Sequence, residues 1–198
     1  YTGGSAWGTC VRADSTKPDA LANHGGPKSE CPAGNPINQG IGNKFQPDTD
    51  FSVIGRLPLT LTRHYDSQPT YQTKLGPNWR HTYDRQILTS SASLVTLVRP
   101  DGKAWDYQYS NGAWSSTFNQ NDRLLQTASG WQVLVSNDEI ESYDTSGRLV
   151  SIEDRSGQKM RLQYDEKSRL LRVIDPFGRE ISFSYDARDR VTAIVDPM

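Results

Sequence analysis

The sequence predicts an all-β protein: an antiparallel sheet of stacked hairpins, curled and shell-like, behind a loop-rich N-terminal arm. Three observations carry this. A Tyr-Asp pair returns at Tyr143-Asp144, Tyr164-Asp165 and Tyr185-Asp186, with an interval of 21 residues each time (164 − 143 and 185 − 164). From Phe45 onward, segments alternate apolar and polar residues between Asp-Gly, Asn-Gly and Ser-Gly signals, which is the pattern of half-buried strands joined by tight turns. Finally, no run of ten or more residues has helical apolar spacing with caps.

Residues 1–43 differ from the rest. Eight Gly and four Pro fall there, and apolar residues recur with no period. Such a stretch has little to bury and much entropy to lose, so it reads as an arm that orders only where it docks. It holds both cysteines, Cys10 and Cys31. Two thiolates are too few for a structural zinc site, and with His24 between them no fourth ligand is evident. A disulfide between Cys10 and Cys31 is the better reading. It would contribute about 3 kcal/mol in the chain-entropy model and would imply an oxidising compartment.

Residues 44–138 form a β module. In "NKFQPDTD", Asp48 and Asp50 with Asn43 upstream could hold a calcium ion through oxygen ligands, but the Gly and closing Glu of an EF-hand loop are missing, and a solvated turn is expected. "RLPLTLTRHYDS" alternates, with Leu57, Leu59 and Leu61 on one side and Arg56, Thr60 and Thr62 mostly on the other. "HTYDRQILTS" and "ASLVTLVRPDGKAWDYQYSNGAW" continue in strands. Asp101-Gly102 and Asn111-Gly112 mark hairpins, and Ser129-Gly130 precedes the strand "WQVLVSN".

Residues 139–198 are the repeats. Aligned at an offset of 21, Leu149, Leu170 and Val191 coincide, as do Ile152, Val173 and Ile194, and Asp154, Asp175 and Asp196; Gly157 matches Gly178. Each unit reads as strand, turn, strand, turn. The Tyr-Asp pair ends the first strand, and its Asp can accept hydrogen bonds from backbone N–H groups of the turn that follows. Leu149 and Ile152 differ in parity, so the second strand should carry a bulge or be buried on both sides. One hairpin cannot bury its apolar face alone; stacked hairpins can.

Net charge is −1 and the pI about 6.3, which argues against a nucleic-acid partner. No apolar run approaches the ~20 residues of a membrane span, and "YTGGSAWGT" has neither the basic start nor the apolar core of a signal peptide. No catalytic set stands out. His64, Asp66 and Ser67 could be assembled on paper, but neighbours on a strand point to opposite faces, and neither a nucleophile elbow nor a phosphate-cradling loop occurs. His64 and His81 are expected to be structural. No enzyme, cofactor or metal is expected. Trp79, Trp105, Trp114 and Trp131 could stack on sugars, although aromatics on strands more often pack.

The repeats resemble YD repeats, the unit of Rhs and related proteins. A second stretch carries an independent likeness. "GNPINQGIGNKFQPDTDFSVIGRLPLTLTRHYDS", followed by "LGPNWRHTYD", resembles the module that precedes the repeats in bacterial Rhs polymorphic toxins. The likeness covers about residues 34–198. It implies that the repeats wind into a hollow β-shell around a toxic C-terminal domain, in a bacterial protein that is secreted or at the cell surface. The implied partners are toxin cargo, secretion machinery, and further shell segments or other copies of the chain joined through sheet edges. The chain departs from the family in scale: three repeats, the last reaching only "VDPM", stand where a closing shell needs many, and neither a toxin nor the aspartate-dependent self-cleavage segment is seen. The expected function is a non-catalytic Rhs scaffold. The alternative is an extracellular self-assembling or adhesion subunit, by strand pairing or carbohydrate binding.

Overall fold

A computed structural model of the chain describes residues 37–38, 43–67, 72–119 and 121–197. Almost all of the arm, and with it Cys10, His24 and Cys31, lies outside these residues. The described residues are all-β, with no helix among them.

The first sheet contains β1 (Ile37–Asn38), β2 (Asn43–Val53) and β3 (Leu59–Asp66); a small hairpin of β4 (Gln72–Thr73) and β5 (Gly76–Pro77) leads to β6 (Trp79–His81), which pairs with β3. On β3 the alternation works as expected. Leu59 and Leu61 are 0 % and 2 % exposed, while Thr60, Thr62 and His64 take the other side. The strand starts at Leu59 rather than Arg56, because Pro58 has no N–H to give a ladder. Asp48 and Asp50 do not lie in a solvated turn: they belong to β2. Pro47 is tolerated there because β2 pairs with β1 only at Asn43 and Lys44, so that β2 is an edge strand at this position.

The second sheet is an up-and-down meander of β7 (Gln86–Ser91), β8 (Leu94–Val98), β9 (Ala104–Ser110) and β10 (Ala113–Ser115). Both hairpin signals fall at its turns. Asn111 and Gly112 have φ of 53° and 80°, the left-handed pair that suits a primed turn.

The third sheet has eight strands in chain order: β11 (Arg123–Thr127), β12 (Gly130–Leu134), β13 (Ile140–Tyr143), β14 (Leu149–Glu153), β15 (Lys159–Tyr164), β16 (Leu170–Ile174), β17 (Glu180–Tyr185) and β18 (Val191–Val195). Each Tyr-Asp tyrosine ends the first strand of its unit. The sheet begins at Arg123, upstream of the first Tyr-Asp pair, so the repeats extend a hairpin that is already there.

Each repeat carries one bulge. Ser142 pairs with Ser151 and Tyr143 with Leu149, which leaves Val150 as the extra residue. Leu171 and Thr192 are the extras in the next two units. This resolves the parity of the second strand, since the extra residue lets Leu149 and Ile152 both turn inward, at 0 % and 5 % exposure.

One core joins all three sheets. Leu59, Ile87, Val95, Leu97 and Tyr107 pack with Val133, Leu149, Val173, Ile181 and Phe183. Each such side chain contributes about 1.5–3 kcal/mol when fully buried. The opposite face of the long sheet is solvated and mixes exposed Leu125 and Leu134 with ion pairs such as Lys159 with Glu153 at 2.7 Å.

Candidate functional site

The working part of the molecule is its ladder of turns. One loop form recurs. In residues 144–148, Asp144 N–H donates to the Arg148 carbonyl at 2.9 Å, Gly147 N–H donates back to the Asp144 carbonyl at 2.9 Å, and Gly147 has φ of 78°. This is a three-residue hairpin loop with a left-handed residue at its end. The same pattern closes 99–103, 135–139, 154–158, 165–169, 175–179 and 186–190. Its left-handed position holds Gly102, Asp138, Gly157, Ser168, Gly178 and Asp189, with φ between 60° and 84°.

The Asp of each repeat organises its loop as expected. Asp165 Oδ1 accepts from Lys167 N–H and Arg169 N–H, both at 2.9 Å. Asp144 and Asp186 hold their loops in the same way, as do Asp154 and Asp175 at the other end of the sheet. Backbone hydrogen bonds from Arg169 and Arg190 lead the effects that hold the Asp165 and Asp186 carboxyls below the ordinary range.

The sequence reading missed the arginine that follows four residues later. Arg169 Nε donates to Asp165 Oδ2 at 2.6 Å, and Arg148, Arg179 and Arg190 do the same to Asp144, Asp175 and Asp186. From this anchor, arginines reach into the next repeat. Arg148 lies 5.1 Å from the Tyr164 ring centre and donates to Ser168 Oγ at 2.9 Å. Arg169 lies 5.1 Å from the Tyr185 ring and donates to Asp189 Oδ1 at 2.9 Å. The signal was present, since Arg148, Arg169 and Arg190 keep the interval of 21.

The tyrosines close the lock. Tyr164 donates to the Leu149 carbonyl and Tyr185 to the Leu170 carbonyl, both at 2.8 Å. Burial raises both hydroxyls, Tyr185 to about 12. The three rings hold equivalent positions at strand ends, but their burial differs. Only Tyr143 is fully buried, at 2 % exposure. Tyr164 and Tyr185 are half-buried under their arginines, and Tyr143 donates instead to Glu141 Oε2 at 2.6 Å.

Glu141 is the junction of repeats and pre-repeat sheets. It is 0 % exposed. Arg85, between β6 and β7, and Arg99, after β8, both donate to it, Arg99 at 2.7 Å. Burial pushes its pKa up, but Arg85, Arg99 and the Tyr143 hydroxyl outweigh burial and hold it below the usual value. Beside it, Ile87 N–H donates to the Gly147 carbonyl at 2.8 Å, which stitches β7 to the first repeat loop. Alignment of the repeats would have exposed Glu141, because 141, 162 and 183 are equivalent and hold Glu, Leu and Phe.

The remaining candidates are dispersed. Ser67 Oγ donates to Asn43 Oδ1 at 3.1 Å, Asp66 is buried, and His64 lines a groove. His81 accepts from Tyr83 N–H at 3.2 Å through Nδ1, leaving Nε2 to face Asp84 Oδ1 at 3.4 Å; burial lowers its pKa. Asp50 is gripped by Arg63 at 2.7 Å, and no cluster of three metal-ligating side chains occurs among the described residues. Trp79 packs on Tyr65, and Trp114 sits between Tyr109 and Trp131.

Residues 34–107 match a family described as "Domain of unknown function (DUF6531)". Residues 143–180 and 164–197 match "RHS Repeat", two matches whose starts are one interval of 21 apart. A comparison with curated proteins finds no match.

Proposed function

From the premise that this chain is an Rhs/YD-repeat protein, we propose that it works as a non-catalytic scaffold: the opening wall of a β-shell that encloses or delivers a toxin in bacterial competition. The ladder of turns supports this most. Asp, Arg and Tyr at fixed positions bind each hairpin to the next, so sheet length is set by repeat number. Chemistry is left to whatever the wall encloses. By the chain's likeness to RHS repeat proteins, its site of action is outside the cell or at its surface. Inserting a second copy of residues 165–185 after Tyr185 tests the scaffold. The sheet should gain one hairpin, and the denaturant m-value should rise with the added buried area. A variant that misfolds or keeps the same m-value would overturn the reading.

A second reading has its own observation. Among the described strands β18 pairs only with β17, and Val195 on it is 57 % exposed. Such an edge accepts a further strand, from more repeats or from another copy. If it joins copies, the protein should sediment as an oligomer that Ile194→Lys disperses. A monomer at high concentration would exclude assembly in this form.

A further inference from the structure

The free edge of the long sheet is not bare along its whole length. Val191 opens β18 as Leu149 opens β14 and Leu170 opens β16, at the interval of 21. The residues two to four places further on pair with the next strand: Ser151, Ile152 and Glu153 with β15, and Arg172, Val173 and Ile174 with β17. The opening residue is met differently. The Leu149 and Leu170 carbonyls accept the Tyr164 and Tyr185 hydroxyls of the following unit, both at 2.8 Å. At Val191 the first sheet stands there instead. Its N–H, which points to the same side of the strand as its carbonyl, donates to the Lys74 carbonyl at 2.8 Å.

Lys74 lies at the tip of the β4–β5 hairpin, next to the paired Thr73 and Gly76. The base of this hairpin is pinned, since the Thr73 hydroxyl donates to the Trp79 carbonyl and accepts from Leu75 N–H at 3.2 Å. Its tip is held lightly. Besides the one backbone bond, Lys74 Nζ lies 4.0 Å from Asp189 Oδ2, and Asp189 already accepts from Arg169. A solvated pair of this length contributes little, so the contact is well placed but exchangeable.

We propose that the β4–β5 hairpin is a displaceable guard: its tip holds the place that the tyrosine of a further Tyr-Asp strand takes, and such a strand joins β18 only when the hairpin lifts. This rests on the reading that the β18 edge accepts a further strand, and adds what limits it. Covering an edge with a loop is a general defence against unwanted pairing. Here the cover is partial. Ala193, Ile194 and Val195 are the equivalents of Ser151, Ile152 and Glu153, and among the described strands only β17 pairs with them. Arg190 grips Asp186 as Arg148 and Arg169 grip their aspartates, but no ring lies against it among the described residues. The rungs and the arginine are ready for another unit, and the hairpin tip competes with its tyrosine.

The test compares the full chain with its variants Lys74→Glu, which sets a carboxylate against Asp189, and Thr73→Val, which unpins the hairpin from β6. Each is checked for an unchanged thermal melt, and either alone suffices for the comparison. The probe is a peptide with the sequence of residues 159–165, a β15 strand with its Tyr-Asp pair. Amide exchange followed by NMR should show Val191 N–H protected in the unaltered chain and exchanging about tenfold faster in a variant. The peptide should bind the unaltered chain with Kd of about 1 mM, a variant about tenfold more tightly, and Ile194→Lys not at all. The same peptide carrying Tyr164→Ala should gain nothing from the variants. Val191 exchange that is equally fast in all chains would overturn the guard. So would equal peptide affinity for the unaltered chain and the variants, which leaves the edge reading intact if Ile194→Lys still abolishes binding. An equal gain by the Tyr164→Ala peptide would overturn the competition for the tyrosine's place. A peptide that binds none of the chains would overturn the edge reading, and the guard with it.

Discussion

Replacing Gly147 with Ala tests the seam between the repeats and the sheets before them. Within the repeats three glycines, Gly147, Gly157 and Gly178, sit at the left-handed position of the same loop form, with φ of 78°, 81° and 82°. A Cβ costs each about 1–2 kcal/mol in left-handed strain, less where the loop relaxes as it does around Ser168 and Asp189. Their surroundings differ. At Gly178 an added Cβ meets nothing within 4 Å, and at Gly157 only Glu153 Oε1 at 3.9 Å. At Gly147 it would lie 1.8 Å from the Ile87 carbonyl oxygen, 1.6 Å inside the 3.4 Å of ordinary contact (3.4 − 1.8). The carbonyl is backbone and the Cβ is fixed rigidly to the backbone at Cα, so neither can swing aside and the seam must part. The Ile87–Gly147 hydrogen bond, about 1 kcal/mol net, is then lost, and the packing of Ile87 and Leu149 loosens. Urea unfolding should give about 1–2 kcal/mol for Gly157→Ala and for Gly178→Ala, and about 3–5 kcal/mol for Gly147→Ala. Equal losses at the three sites would refute the close approach of β7 to the first repeat loop.

Other expected outcomes follow from the same contacts. Tyr164→Phe removes the bond to the Leu149 carbonyl and should cost about 1 kcal/mol in chemical denaturation; Tyr164→Ala also removes the ring under Arg148 and should cost about 3 kcal/mol. Glu141→Gln leaves two buried guanidinium groups around a neutral amide and should cost about 3–5 kcal/mol, measured by the same melts. Glu141 is held below its unfolded pKa, so its stabilisation is complete above the ordinary carboxylate range and fades as pH falls through and below it. The wild type should therefore lose stability between about pH 5 and pH 2 more steeply than Glu141→Gln; parallel pH profiles would argue against an ionised Glu141. Thiol titration of the unreduced, denatured protein should find no free thiol at Cys10 or Cys31, and two free thiols would exclude their disulfide.

Much of the fold was legible because its information is local and repeated. The interval of 21, the turn glycines and the inward leucines each act within one hairpin, and a period shows in sequence without knowledge of partners. The bulge was legible as a parity conflict between Leu149 and Ile152. What stayed hidden depends on contacts across long separations. Arg85 and Arg99 meet Glu141 from 56 and 42 residues away, and nothing near either arginine announces the meeting. The strand at Asp48 and Asp50 was missed because Pro and Asp suggest a turn. Pairing across from β3 outweighs that preference where the second edge is open.

Three departures of the first repeat from its siblings lie where it touches something that is not a repeat. Position 141 carries Glu where Leu162 and Phe183 fill the core, because two arginines from the preceding sheets arrive there. Position 147 carries Gly where Ser168 and Asp189 accept an arginine from the repeat before, because the Ile87 carbonyl occupies that space and no repeat lies upstream to send an arginine. Tyr143 keeps its place, but its hydroxyl turns to Glu141 instead of a carbonyl in the preceding hairpin. A repeat array needs an end that differs from its interior, since the terminal face has no identical neighbour to bury it. Here that end is supplied by the β6–β7 segment and β8, and the two substitutions with the redirected Tyr143 hydroxyl are the fit between them. Departures from a period therefore carry different information from the period itself: the interval of 21 describes how repeats bind one another, and its exceptions mark what binds the array to the rest of the protein.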